Sequence, residues 1–174
     1  MVVEMGVVDK FLHGRRFVRV SLGQLLSYSR AVANEVRRKY GRPSQIVYIE
    51  RGGMIAARLL SDMLGVKDVA GVRAGYYIGI ARRAKRVKIG AMPALRKSRS
   101  YILLVDDVAD TGKTLASVSA QIRKRYRGRI VTCTIFYKPR SAIRPDIYAK
   151  KVADDKWIIF EYESNEFKKR ANIA

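Results

Sequence analysis

The 174-residue chain carries a single cysteine, a formal charge of +21 and an apolar fraction of 48%. That length suits one domain spanning residues 1–174, with a core large enough to need no disulfide or structural metal, and the lone Cys133 excludes an intrachain disulfide. No apolar run approaches the roughly 18 residues of a membrane span, and the start MVVEMGVVDKFLHGRR lacks a basic region ahead of an apolar core, so no signal peptide is expected and the cytoplasm is the default.

Ser21 opens a helical pattern with Leu22, Leu25, Leu26, Ser29, Ala33, Val36 and Tyr40 on one face, closed by Gly41 and Pro43. IVYIE (46–50) reads as a strand running directly into Arg51-Gly52-Gly53, and the helix MIAARLLSDML that follows stops at Gly65. Residues 69–80 read as extended. Residues 81–99 are basic, contain Gly90 and Pro93, show no periodicity, and are read as a long loop. YILLVD (101–106) is a short apolar strand of the kind buried on both faces. DVADTGKT and a helix to about Tyr126 repeat the strand, loop, helix unit. IVTCTIFYK (130–138), an extended segment over 147–152 and the strand WIIF (157–160) complete the pattern. Alternating strands and helices predict an α/β fold, a doubly wound and largely parallel sheet with helices on both faces, whose ligands sit at the carboxyl ends of the strands. Both glycine-bearing loops fall there.

The +21 charge favours ligands that bear phosphate, whether small molecules or nucleic acid. Scarce Asn and Gln beside abundant Arg and Lys also fit a thermophile, which accounts for part of the excess. Gly112-Lys113-Thr114 end like a nucleotide-binding P-loop, but that motif needs Gly where Asp107 stands. In its place an apolar strand delivers Asp106 and Asp107, a third acid follows at Asp110, and the turn Thr111-Gly112-Lys113-Thr114 opens a helix. Helix N-terminal amides and hydroxyls make a monophosphate site, and carboxylates just upstream hold sugar hydroxyls or Mg²⁺. A phosphorylated sugar fits this layout better than a triphosphate.

LLVDDVADTGKT (103–114) resembles the phosphoribosyl pyrophosphate (PRPP) signature of type I phosphoribosyltransferases. Glu50-Arg51-Gly52-Gly53 looks like that family's pyrophosphate loop, with Glu50 where a small residue is usual. FYKPRS, PDIY and WIIF resemble the base-binding end, about residues 138–163, of the hypoxanthine, guanine and xanthine branch. The resemblance implies that Asp106 and Asp107 contact the ribose hydroxyls directly or through Mg²⁺, and that residues 110–114 cradle the 5′-phosphate. It places Asp110 beside purine N7 as the catalytic proton handler, with helix capping as its structural alternative. Arg51 and the close backbone approach at Gly52 and Gly53 would serve pyrophosphate. Lys138 would donate to the 6-oxo group, Trp157 would stack on the base, and the backbone of Ile158 would meet its edge. Where the branch often has Pro-Trp-Glu after this strand, the chain has Glu161-Tyr162-Glu163.

Between Asp68 and Asp106 there is no acid, while nine residues are basic: Arg73, Arg82, Arg83, Lys85, Arg86, Lys88, Arg96, Lys97 and Arg99. This window corresponds to the family's mobile lid, about residues 81–99, with Tyr76 or Tyr77 and Arg82 or Arg83 as its candidate contacts. The implied activity is phosphoribosyl transfer from PRPP to N9 of hypoxanthine, guanine or xanthine in purine salvage, with Mg²⁺ as cofactor and a homodimer as the expected assembly. Choice among the three bases rests on groups near Ile158 and Glu161. A different class, a PRPP-sensing regulator gripping nucleic acid with its basic surface, is the alternative, although no helix-turn-helix or aromatic-basic interleave supports it.

Overall fold

The computed structural model describes residues 16–78, 85–96 and 100–163. In chain order these form β1 (Arg16–Val20), α1 (Leu22–Tyr40), β2 (Gln45–Glu50), α2 (Gly53–Leu64), β3 (Val69–Ile78), β4 (Lys85–Ile89), β5 (Ile102–Ala109), α3 (Lys113–Arg125), β6 (Ile130–Tyr137), β7 (Ile147–Lys151), β8 (Lys156–Phe160) and a 3₁₀ turn at Glu161–Glu163. Six strands make the main sheet in the order β4-β3-β2-β5-β6-β7, all parallel except β4, which runs antiparallel to β3. Leaving β4 aside, the parallel strands run β3-β2-β5-β6-β7, so the winding reverses between β2 and β5. A ligand crevice belongs at the carboxyl ends of that pair.

Alternating side chains divide the core into two layers. Ile46, Leu103, Val105 and Cys133 pack with Leu25, Val32 and Val36 of α1 and Ala56 and Leu60 of α2. Val47, Ile49, Ile102 and Leu104 face the other way, onto Leu115, Val118 and Ile122 of α3. The doubly wound sheet expected from the alternation of elements is therefore present.

Ser21 caps α1 as its sequence suggests. The Ser21 hydroxyl accepts from Gln24 N–H at 3.1 Å, and Gln24 Oε1 accepts from Ser21 N–H at 3.0 Å. The buried stripe is Leu25, Ser29, Val32, Ala33 and Val36, whereas Leu22 and Leu26 are 53% and 39% exposed. Leu26 lies about 100° around the helix from Leu25, outside the packed face, and Leu22 occupies the first turn. Among the described residues no helix is long and apolar enough to cross a membrane.

Two further departures matter for the site. Residues 81–99 are not one loop: 85–89 form β4, and Met92 and Leu95 pack onto the α3-side core. Gln45 also pins this segment, donating to the Ala94 carbonyl at 2.9 Å and accepting from Arg96 N–H at 3.1 Å. In addition β1 pairs in parallel with β8 as a separate two-stranded sheet, with Phe17 opposite Trp157 and Val18 opposite Ile158.

Candidate active site

β2 is a buried strand, and its last residues turn directly into α2. A Cβ on Gly53 would stand 2.5 Å from the Val105 carbonyl oxygen, and one on Gly52 would stand 2.5 Å from Asp107 Oδ1. Gly53 needs to lack a Cβ because the loop lies against the backbone of β5, whereas Gly52 faces the Asp107 carboxylate. Arg51-Gly52-Gly53 and Asp106-Asp107 thus lie side by side. The Glu50–Arg51 peptide is cis. Glu50 itself is turned onto β3: Oε2 lies 3.6 Å from Arg73 Nε, and a Cβ on Gly71 would meet Oε1 at 2.7 Å. Its charge is directed to a cation on the neighbouring strand.

On β5 the side-chain alternation breaks at the carboxylates, since Val105 and Val108 both pack on the first core layer and Ala109 on the second. Asp106 is buried and Asp107 half-buried. Asp106 Oδ1 accepts from Asp107 N–H at 3.1 Å, and Asp107 Oδ1 accepts from Val108 N–H at 2.7 Å. Burial pushes both carboxyls above the usual range, and the charge of Asp107 pushes Asp106 further. A carboxyl whose folded pKa exceeds its unfolded value costs stability as pH rises from the unfolded value through the folded one. The double variant Asp106→Asn with Asp107→Asn is therefore expected to melt above the parent. The gap should open as pH rises from about 4, and melting curves across pH check it; a constant gap would show that charge is not the cause.

The next turn carries Asp110, Thr111 and Gly112. Gly112 has φ +68° and is the N-cap of α3, with no side-chain cap. First-turn amides of α3 thus have no side-chain cap, and exposed Lys113 and half-buried Thr114 stand beside them. Residues 141–143 press against this turn: Ala142 N–H donates to the Thr111 carbonyl at 2.8 Å, and a Cβ on Gly112 would stand 2.9 Å from Ala142 N and 3.0 Å from Ile143 N. Gly112→Ala is expected to lose about 1–3 kcal/mol of stability from left-handed strain and overpacking. Denaturant titration reads that loss directly.

Asp110 does not cap α3, which corrects the structural alternative for it. Its Oδ1 lies 3.1 Å from Lys138 Nζ, and Arg140 donates to the same oxygen through Nε at 2.8 Å and through Nη2. Lys138 follows β6, and its side chain is only 3% exposed. A buried ammonium facing a carboxylate explains why a lysine is tolerated there. Arg140 is a site residue that the sequence did not single out, although it stands two positions after Lys138 in KPRS.

Trp157 is half-buried and Ile158 buried on β8. Beyond them Phe160 stacks on Tyr162, with centroids 5.3 Å apart and planes 11° from parallel. The Tyr162 hydroxyl is pushed up by burial and then by the Asp107 charge. The Glu161 carboxylate accepts from Leu22 N–H at 2.8 Å and anchors the β8 end to α1. Tyr76 and Tyr77 lie on β3, opposite Val87 and Arg86 of β4. Arg82 and Arg83 lie outside the described residues.

The loops after β2 and β5, the turn into α3 and the residue after β6 therefore converge at the sheet's switch point. A family model described as the phosphoribosyl transferase domain matches residues 22–166. The xanthine-guanine phosphoribosyltransferase of Gluconobacter oxydans (strain 621H) is 28% identical over 148 residues, 85% of this chain and 85% of that one. The crystal structure of purine phosphoribosyltransferase from Pyrococcus horikoshii Ot3 matches at TM-score 0.75 and 29% identity, over 84% of this chain and 93% of that one. Helicobacter pylori xanthine-guanine-hypoxanthine phosphoribosyltransferase shares the fold at TM-score 0.78 and 23% identity, over 90% and 99% of the two chains. With the match spanning both strand-end loops and the sheet that carries them, the chain belongs to the phosphoribosyl transferase family and is a type I phosphoribosyltransferase.

Proposed function

We propose that the protein transfers the phosphoribosyl group of PRPP to N9 of a 6-oxopurine, hypoxanthine, guanine or xanthine, in purine salvage, acting as a homodimer. The observation that carries this reading is the buried Lys138 ammonium 3.1 Å from Asp110, beside the turn into α3. A cationic donor suits a 6-oxo oxygen and opposes the 6-amino group of adenine. The purine enzymes named among its relatives support the same substrate class.

In this reading the α3 amides, Thr111, Gly112, Lys113 and Thr114 hold the 5′-phosphate. Asp106 and Asp107 hold the ribose hydroxyls, and Arg51 with the Gly52 and Gly53 backbone holds pyrophosphate. Glu50 stays with Arg73, away from that anion. Trp157 covers the base and Ile158 meets its edge. N9 attacks C1′, the bond from C1′ to the pyrophosphate oxygen breaks, and Asp110 manages the proton at N7. The two strand-end carboxylates suit Mg²⁺, a hard cation, because burial penalises them as bare anions. Among the described residues no cluster of three His, Cys, Asp or Glu could hold a metal ion, so further ligands would come from PRPP and water. Mg²⁺ held by Asp106 and Asp107 would supply charge neutralisation for the departing pyrophosphate.

Purified protein given PRPP, Mg²⁺ and a panel of free bases should release pyrophosphate with at least one 6-oxopurine and least with adenine. No release with any purine would sink the reading. Steeply salt-dependent nucleic-acid binding without turnover would favour the regulator instead.

A further inference from the structure

Arg140 has no role in the transfer described above, yet it holds the carboxylate on which that transfer turns. Its Nε and Nη2 both donate to Asp110 Oδ1, the oxygen that Lys138 Nζ also approaches. Two cations thus converge on one oxygen, and among the described residues nothing donates to Oδ2.

The three side chains differ in their access to water. Lys138 is 3% exposed, Asp110 36% and Arg140 45%. A buried ammonium facing a lone carboxylate attracts it more strongly as water is excluded. Lys138 already pairs with Asp110 at 3.1 Å, and without Arg140 it would be the acid's one charged partner among the described residues. The carboxylate could then turn about that single contact, and Oδ2 would lose a fixed direction toward N7.

Arg140 pulls on the same oxygen from the solvent side, and its backbone is held in place to do so. Its N–H donates to Asp154 Oδ1 at 3.0 Å, and the Ser141 N–H donates to the Lys138 carbonyl at 3.0 Å. Lys138 N–H in turn donates to the Ala109 carbonyl at 3.0 Å. The segment bearing both cations is therefore bonded to the strand end that bears Asp110.

We infer, building on the base-transfer reading above, that Arg140 is a positioning residue: it holds Asp110 by Oδ1 beside Lys138 and leaves Oδ2 for purine N7, while the remaining Lys138 donors serve the 6-oxo group. As a half-exposed ion pair it contributes little to stability. Its effect belongs in turnover.

The test compares Arg140→Met and Arg140→Lys with the parent, each as the full chain with PRPP, Mg²⁺ and the 6-oxopurines, alongside thermal melting. The methionine variant should lose about 10²-fold in kcat and raise the KM for the base, as misplacement of a catalytic group does. Its KM for PRPP should stay within about twofold of the parent's, because PRPP contacts are untouched. The lysine variant should recover about tenfold of the loss, since it restores charge without the planar fork. If the methionine variant melts early, Arg140→Gln, which keeps polarity but not charge, takes its place in the comparison. A parent inactive with every purine removes the base-transfer reading itself. An active parent whose Arg140→Met or Arg140→Gln variant keeps the parental kcat overturns the inference and leaves that reading intact. Equal losses in the lysine and methionine variants also overturn it, since charge would then be irrelevant.

Discussion

Asp110→Asn is expected to lower kcat by about 10²-fold or more while leaving the KM for PRPP nearly unchanged, because a positioned acid or base contributes at least that much to a proton transfer. Asparagine has the size of aspartate, and its amide oxygen can still accept from Lys138 and Arg140, so the loop should keep its shape. What disappears is the negative charge and the ability to take up a proton from N7. The ribose and phosphate contacts proposed for Asp106, Asp107 and the α3 amides lie outside this change. Steady-state kinetics with PRPP varied at saturating base, then the reverse, separates the two constants. A variant that keeps kcat but binds PRPP poorly would move Asp110 from base chemistry to phosphate binding.

Much of this site was legible from local sequence. An apolar run such as Leu103-Leu104-Val105 makes a buried strand legible, and adjacent acids at its end are costly to bury without a purpose. The sequence read Gly52 and Gly53 as a close backbone approach to an anion, whereas the atoms that exclude a Cβ there belong to Val105 and Asp107. What escaped depends on contacts between distant segments. β1 is five residues long and pairs with a strand from the far end of the chain. β4 lies at the edge of the sheet, where Lys and Arg blunt the strand and hide its alternation. The direction of Glu50 follows from the register that sets it opposite Arg73, with Gly71 two residues earlier making room. Arg140 reads as one more surface cation until the fold brings it to Asp110. The exposure of Leu22 and Leu26 likewise follows from which face α1 turns to β6, β7 and α2, which periodicity alone does not select.

Lys138→Met is expected to lower kcat/KM for hypoxanthine by about 10²-fold, the value of a charged hydrogen bond to a buried acceptor, and to weaken discrimination against adenine. Methionine nearly matches the lysine stem in length, so the space beside Asp110 stays filled and no large cavity forms. Asp110 retains Arg140 as its partner and is itself partly exposed, so it is not stranded as a buried, unpaired charge. The melting point should therefore hold or rise, because an apolar side chain replaces an ammonium that is almost wholly out of water. Loss of activity without loss of stability separates a recognition role from a scaffolding one. The decisive measurement is the ratio of kcat/KM for hypoxanthine to that for adenine in parent and variant. A lysine that recognises the 6-oxo group makes that ratio fall, because its donor favours one base and opposes the other. An unchanged ratio would mean that Lys138 only balances the charge of Asp110, with base selection made elsewhere in the pocket.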